Sequence, residues 1–115
     1  MEKTNINFNQ NIIGAFAYLF GFLTGIFFLL VEKKSKFVRF HAMQSTILFG
    51  GYFLASAVLG SIPFISAIWR PLSGLANALL LVVWAFLIYQ AFKGKEYRVP
   101  MVGDFAVKQL AKLKV

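Results

Sequence analysis

Three long runs of apolar residues, separated by short polar stretches, dominate the pattern of the chain. They cover about residues 12–31, 46–66 and 75–92, and none of them contains a charged side chain. A helix of about twenty residues is roughly 30 Å long, which matches the hydrocarbon core of a bilayer. Spanning strands would instead alternate polar and apolar residues and close into a barrel. The pattern therefore predicts an all-α integral membrane protein, built as a bundle of three transmembrane helices.

Two prolines mark the boundary between the second and third runs. Pro63 has no amide donor and clashes with the preceding turn, so a helix is expected to kink or stop there. Arg70 and Pro71 then indicate a short turn before the third run. The pattern leaves open whether residues 61–72 form a turn, a kink or a short re-entrant segment.

The C-terminal tail, residues 93–115, follows the last apolar run and is more polar than the runs. Its first part, GKEYRVPMVG, contains Pro100 and two glycines and is expected to be an extended connector. Asp104 is expected to cap a short amphipathic helix. The apolar face would contain Ala106, Leu110 and Leu113, and the basic face Lys108 and Lys112. Such a segment is typical of a helix lying on a membrane surface, and a solvated, frayed tail is the alternative.

Composition agrees with a membrane protein. Of 115 residues, 59% are hydrophobic and 14% are charged, whereas soluble domains contain about 25% charged residues. The length fits a single membrane domain covering residues 1–115. Cysteine is absent, which excludes disulfides and thiolate metal sites.

The distribution of cations predicts how the chain is oriented. The loop after the first run has four cations and the tail has six, whereas only Lys3 and Arg70 lie elsewhere. Cations stay preferentially on the cytoplasmic side of a membrane. We therefore expect the cytoplasmic membrane of a prokaryote, with the N-terminus outside and the C-terminus in the cytoplasm.

The net charge of +8 also raises the question of which anionic partner the chain binds. The cations lie next to the predicted membrane ends, and no RNA-binding aromatic motif accompanies them. Anionic lipid headgroups are therefore the expected partner, rather than nucleic acid. The residues expected at the membrane surface are Lys33, Lys34, Lys36, Arg39, Lys108 and Lys112.

The stretch KFVRFHAMQS contains the only histidine and leads into the second run. We expect this stretch to be a helical extension of the second run, on which His41 and Gln44 share a face that points into the protein, opposite Lys36 and Arg39. The third run ends on the same side of the membrane, so a polar cluster of His41, Gln44, Tyr89 and Gln90 is predicted. It would either hold the helices together by hydrogen bonds or recognise a partner or lipid, with His41 sensing pH.

Small residues four positions apart indicate where helices approach closely. Such pairs are Gly21 and Gly25, Gly51 and Ala55, and Ser56 and Gly60. Packing within one molecule is the expected use of these pairs, and a homo-oligomer is the alternative.

Catalytic and metal-binding groups are scarce. The four acidic residues all lie outside the apolar runs, and no nucleophile, base and orienting group occur at recognisable spacing. A single histidine without cysteine or a carboxylate pair cannot supply a metal ligand set. We expect no enzyme activity, no metal and no cofactor. Coupled transport is also disfavoured, because no run contains an ionisable residue, whereas a neutral oligomeric pore is not excluded.

Two motifs, FVRFHAMQS and GKEYRVPMVGDFA, resemble the signatures of a family of small prokaryotic membrane proteins related to the import component of the chloroplast inner-envelope translocon. The resemblance extends from about Ala17 to Ala106. It implies an all-helical membrane protein and, through the plastid relatives, a link to protein translocation. The signature positions are Phe37, Arg39, Phe40, His41, Gln44, Pro100, Gly103 and Asp104, for which the resemblance implies no chemical role.

The function expected from these observations is that of a noncatalytic interaction or assembly factor in a membrane, linked to protein translocation. Its expected partners are the lipid bilayer and another membrane protein or a second copy of the chain. A small oligomeric channel or carrier is the alternative.

Overall fold

The fold is all-helical in the computed structural model, which describes residues 9–113. Two of its helices are long and apolar enough to cross a membrane, α3 and α4. The five helices are α1 (Gln10–Phe16), α2 (Phe22–Val31), α3 (Lys36–Ser61), α4 (Pro63–Phe92) and α5 (Val102–Lys112).

The first predicted span, residues 12–31, is not a single helix. The turn 17–21 divides it into α1 and α2, and the chain reverses direction there. Gly21 has a φ of 62°, a left-handed conformation that glycine adopts without a steric penalty. An uninterrupted apolar run does not reveal such a turn, because every residue in it suits either a straight helix or a hairpin. We call α1, the turn 17–21 and α2 the half-depth hairpin.

Contacts at the open end of the half-depth hairpin show that both its helices meet the same end of the molecule. The Asn11 side chain donates to the Phe92 carbonyl at 3.2 Å, where α4 ends. The Ser35 hydroxyl donates to the Gln10 side chain at 3.1 Å, where α2 has passed into the next loop. We call this end, formed by residues 9–11, 32–39 and 92–113, the base.

This arrangement bears on the predicted orientation. An N-terminus outside and a C-terminus inside would require the two ends of the chain to lie on opposite sides, whereas residues 9–11 and 92–113 lie together at the base. The first eight residues, including Lys3, lie outside the described part of the chain. In the described part of the chain, α3 and α4 are the helices long and apolar enough to cross a membrane.

α3 and α4 form a long antiparallel pair. α3 begins at Lys36, where the Ser35 hydroxyl accepts a hydrogen bond from the Val38 amide at 3.2 Å, so the stretch KFVRFHAMQS is helical as predicted. The two helices are separated only by Ile62, and Pro63 is the first residue of α4, where its missing amide hydrogen costs nothing. The helix break predicted near Pro63 is thus confirmed.

The turn predicted at Arg70 and Pro71 is wrong, because α4 continues through both residues to Phe92. Proline removes one hydrogen bond from a helix but does not end it when neighbouring groups compensate, which is common in membrane helices. α4 is therefore longer than the predicted span 75–92, and α3 is longer than the predicted span 46–66 because it begins at Lys36, although it ends at Ser61.

Burial is concentrated in the half of the molecule next to the base. Apart from Ser66, every buried residue of the described chain lies between residues 13 and 49 or between 87 and 106. Tyr18 and Leu87 are the largest completely buried side chains. The other half consists of α3 and α4 alone and exposes apolar side chains, of which Phe64 is 80% exposed. We call residues 51–79 the distal hairpin.

α5 lies across the base end of α3. Its apolar face is the predicted one: Ala106 is buried, and Leu110 and Leu113 pack against the core. This face contacts the protein itself. Asp104 does not cap the helix, which begins at Val102, and instead forms an ion pair with Arg98 at 3.1 Å.

Candidate functional site

Two side chains of α3 bind the extended connector between α4 and α5. His41 Nε2 lies 3.0 Å from the Lys95 carbonyl oxygen. Gln44 Nε2 donates to the Tyr97 carbonyl at 3.0 Å, and Gln44 Oε1 accepts from the Val99 amide at 2.9 Å. In an extended chain the backbone groups of alternate residues point to the same side, so α3 binds the connector along one edge.

Tyr18, from the turn of the half-depth hairpin, joins the same group. Its hydroxyl lies 2.6 Å from His41 Nδ1 and accepts from Gln44 Nε2 at 2.8 Å. All three side chains are completely buried. We call Tyr18, His41, Gln44 and the backbone of residues 95–99 the polar clasp.

The hydrogen-bond partners fix the direction of every bond in the polar clasp. The Lys95 carbonyl can only accept, so His41 Nε2 donates to it and His41 Nδ1 accepts from the Tyr18 hydroxyl. That hydroxyl in turn accepts one Nε2 hydrogen of Gln44, whose other Nε2 hydrogen goes to the Tyr97 carbonyl and whose Oε1 accepts from the Val99 amide. A single neutral tautomer of His41 satisfies all the partners, and such fully connected networks stabilise a unique arrangement.

Aromatic rings close the polar clasp from the sides. The His41 ring meets Phe37, Phe40 and Tyr18 edge to face, with centroid distances of 4.5, 5.1 and 5.3 Å. Gly14 allows α1 to approach this layer, because a Cβ there would lie 2.7 Å from the Phe37 ring. The cluster is therefore enclosed by the protein and joins α1, α3 and the connector.

Tyr89 and Gln90 do not belong to the polar clasp, although the sequence pattern placed them with His41 and Gln44. Tyr89 is 56% exposed, and the Lys93 ammonium lies 5.1 Å from its ring centroid. The side-chain partner of His41 and Gln44 is Tyr18 instead of Tyr89 or Gln90. The only sequence signal for it is a hydroxyl group within an apolar run, which needs a partner wherever it is buried.

Three side chains bind the backbone carbonyls of the turn 17–21. Thr24, Ser45 and Trp84 donate to the carbonyls of Ala17, Gly21 and Tyr18 at 3.1, 2.8 and 2.6 Å, respectively. The Ala17 carbonyl takes its partner from Thr24, whereas the carbonyls of Tyr18 and Gly21 also accept from the amides of Gly21 and Gly25, respectively. Irregular backbone at membrane depth requires partners of this kind within the protein.

The loop between α2 and α3 is held by a buried acid and a half-buried cation. The Glu32 carboxylate accepts from the amides of Lys34 and Ser35, each at 2.9 Å. The Arg39 guanidinium donates to the carbonyls of Leu29 and Glu32 at 2.9 and 2.7 Å. Arg39 thus stabilises the C-terminal end of α2, where a cation also interacts favourably with the helix dipole.

The other cations predicted at a membrane surface are exposed at the base. These are Lys33, Lys34, Lys36, Lys108 and Lys112. A groove of about 550 Å³ between α3 and α5 is lined by three cations, one acid and apolar residues that include Phe40; its charged residues are Lys36, Arg39, Glu96 and Arg98. Of the described cations, only Arg70 lies away from the base.

The six small residues expected at helix contacts divide into two groups. Gly21 belongs to the turn, and Gly25 touches α3, because a Cβ there would lie 2.7 Å from the Thr46 hydroxyl and 2.9 Å from the Ala42 carbonyl. Gly51 and Gly60 have nothing within 4 Å of such a Cβ. Ala55 is exposed and Ser56 half-buried on the same helix. Within one molecule, close packing therefore uses only the first pair.

Comparison with known proteins gives a family and several relatives. The model of the magnetosome magnetite crystal formation protein family matches residues 4–106. A UPF0132 membrane protein of Methanocaldococcus jannaschii is 47% identical over 106 residues, which cover 92% of this chain and 93% of the relative. A UPF0132 membrane protein of Archaeoglobus fulgidus is 44% identical over 101 residues, covering 88% and 95%. No solved structure matches the chain.

These matches support the expected small prokaryotic membrane protein family. They provide no support for the relation to the chloroplast import component that the two motifs implied. The described residues contain no group of three or more His, Cys, Asp or Glu side chains that could hold a metal ion.

Proposed function

The chain belongs to the magnetosome magnetite crystal formation protein family, and on this premise we propose that it is a noncatalytic integral membrane protein that acts as an interaction or assembly factor. Its relatives from Methanocaldococcus jannaschii and Archaeoglobus fulgidus are named as membrane proteins, which supports the membrane placement. The apolar surface of α3, α4 and the half-depth hairpin would face lipid. The exposed cations of the base would bind anionic headgroups.

The main support for a noncatalytic role is that the buried polar groups are used to hold the chain's own backbone. Both nitrogens of His41 and the whole Gln44 amide have partners within the polar clasp. The Glu32 carboxylate binds two amides of its own loop. The exposed Asp104 is paired with Arg98. A general base must instead be within reach of a substrate proton.

The proposed topology has two crossings. α3 and α4 span the bilayer, the half-depth hairpin enters from the base and returns to it, and the base lies in the cytoplasm because it holds nearly all the described cations. Residues 72–92 of α4 measure about 30 Å, so Arg70 would lie at the opposite boundary of the hydrocarbon core.

A channel or carrier remains the second candidate, and Asn77 favours it. Its side chain is exposed on α4 and accepts a hydrogen bond from the Tyr52 hydroxyl, which leaves its amide donors on the apolar surface. Polar groups in this position either bind another helix or face water. A pore would require several copies, since α3 and α4 enclose no polar path within the described chain.

A photoreactive amino acid at Leu54 tests the interaction proposal in native membranes. Leu54 is 66% exposed on the distal hairpin, whereas Leu87 is completely buried and is the matched control. We expect Leu54 to form a recurrent crosslink with one membrane protein, and Leu87 to form none. A translocase component in this product would support the link to protein translocation.

The purified protein in sealed liposomes distinguishes the two candidates. An interaction factor leaves the liposomes sealed to ions and small solutes. A steady leak that disappears with Asn77→Leu, together with crosslinks only between copies of the chain, would establish the channel and refute the assembly role.

A further inference from the structure

The two halves of the molecule differ in the number of helices they would place in the membrane. Next to the base, α1 and α2 lie beside α3 and α4, so four helices share that half. In the distal hairpin only α3 and α4 continue. The boundary lies at the turn 17–21, where Gly21 approaches Phe49 and Tyr18 binds Trp84.

The depth of this boundary matches one leaflet. α2 has ten residues and is about 15 Å long, which is half of the roughly 30 Å hydrocarbon core. The turn at its tip has three carbonyls bound by Thr24, Ser45 and Trp84, and the Phe20 amide donates to the Thr24 hydroxyl, which lowers the cost of placing the turn in hydrocarbon.

The outer surface of the half-depth hairpin is suited to lipid. Phe20 at its tip is 68% exposed, and Leu23, Phe27 and Leu30 along α2 are 63%, 54% and 58% exposed. The polar residue of this stretch, Thr24, donates its hydroxyl to the carbonyls of Ala17 and Gly21, and the exposed lysines begin at the base. Apolar surface of one leaflet's depth, bordered by cations, is complementary to the acyl chains and anionic headgroups of that leaflet.

We propose that the protein is a membrane wedge. It partitions preferentially into curved membrane whose convex leaflet is the one that contains the base, and it stabilises that curvature. Two helices of 10–11 Å diameter add roughly 160–190 Å² of cross-section to the base leaflet, and nothing to the other. A curved bilayer has more area in its convex leaflet, so the unequal shape fits there with less distortion of lipid packing. This inference rests on the membrane placement proposed above.

Membrane tethers pulled outward from giant vesicles test the wedge with the full-length protein. Because the chain has no cysteine, Lys108→Cys at the exposed surface of α5 gives a single labelling site. An impermeant dye marks only the molecules whose base faces outward, and a permeant dye of another colour then marks the rest. The outer leaflet of a tether is convex.

We expect outward-facing molecules to be enriched roughly twofold or more in the tether relative to the flat vesicle, and inward-facing molecules to be depleted. The opposite behaviour of the two populations separates a wedge from a general preference for loosely packed lipid, which would enrich both. Equal densities of both populations in tether and vesicle would overturn the inference.

Two glycine variants connect the effect to the half-depth hairpin. Gly21→Leu places a side chain at a φ of 62° and against Phe49, whereas Gly51→Leu adds the same side chain where nothing lies within 4 Å. Gly51→Leu should show the same enrichment in the tether, relative to the flat vesicle, as the parent protein. Gly21→Leu should lose the sorting, provided that circular dichroism shows an unchanged helix content.

A second measurement does not depend on the Gly21 variant being folded. Depth-dependent quenching of a fluorophore at Phe20 should place the tip near the middle of the bilayer, with a fluorophore at Phe27 closer to the base surface. A tip at the far surface would refute the wedge but leave the interaction proposal intact. Failure of the protein to float with liposomes would refute the membrane placement itself.

Discussion

Replacing Gln44 by leucine removes the side chain that binds most of the connector while nearly preserving its volume. The Tyr97 carbonyl and the Val99 amide lose their partners, whereas the Tyr18 hydroxyl keeps its bond to His41. An unpaired buried group costs about 1–3 kcal/mol. Polar contacts in membrane proteins have lower average values, of about 0.6 kcal/mol. For two groups close to the base we expect a loss of about 2–4 kcal/mol in the free energy of unfolding.

Gln90→Leu is the matched control for this substitution. Gln90 is half-buried on α4, and its side chain makes no hydrogen bond within the described chain. We therefore expect a change below about 1 kcal/mol. Equilibrium unfolding in mixed micelles measures both values, and amide hydrogen exchange locates the effect.

The exchange experiment gives the sharper result. In Gln44→Leu, the Val99 amide should exchange faster while the amides in the middle of α4 keep their protection. Equal losses in the two variants, or an unchanged Val99 amide, would show that the polar clasp does not hold the connector.

Two further predictions follow from the packing of α2 and from the position of the base. Gly25→Leu should destabilise the protein by about 1–3 kcal/mol or more, because its Cβ meets the backbone of α3, whereas Gly51→Leu should change the unfolding midpoint little. Equal effects would contradict the close contact. Single cysteines at Asn9 and Lys108 should react with an impermeant thiol reagent from the same side of the membrane, and a cysteine at Phe64 from the opposite side. Labelling of Asn9 together with Phe64 would restore the three-span topology.

The helical extension of the second span could be predicted from sequence because its signals are local. Ser35 is a capping residue, and His41 and Gln44 lie on one helical face. The same reasoning indicated that these two side chains point into the protein. Their partners could not be predicted, since the connector is more than fifty residues away in sequence and binds through its backbone.

The prediction of one continuous helix over residues 12–31 is wrong because hydropathy reports the environment of a segment but not its path. Residues 12–31 are apolar whether they cross the bilayer or turn back within it. The residues that decide between the two are Gly21 within the segment and Trp84 far outside it. At Pro71 the error is the opposite one, because a turn was predicted where the helix continues. Proline usually ends a helix in soluble proteins but is tolerated within apolar helices of membrane proteins.

The distance in sequence between the two sides of the polar clasp has a consequence for biosynthesis. When His41 and Gln44 leave the ribosome, the backbone groups that they bind have not been made, and the residue that binds the Tyr18 carbonyl follows 66 positions after Tyr18. Within the polar clasp, the first sixty residues can form only the bonds that join Tyr18, His41 and Gln44 to one another. The other polar atoms of His41 and Gln44 find their partners only after residues 95–99 have been made, so a polypeptide shortened before residue 95 keeps unpaired polar groups next to its apolar helices, which is costly.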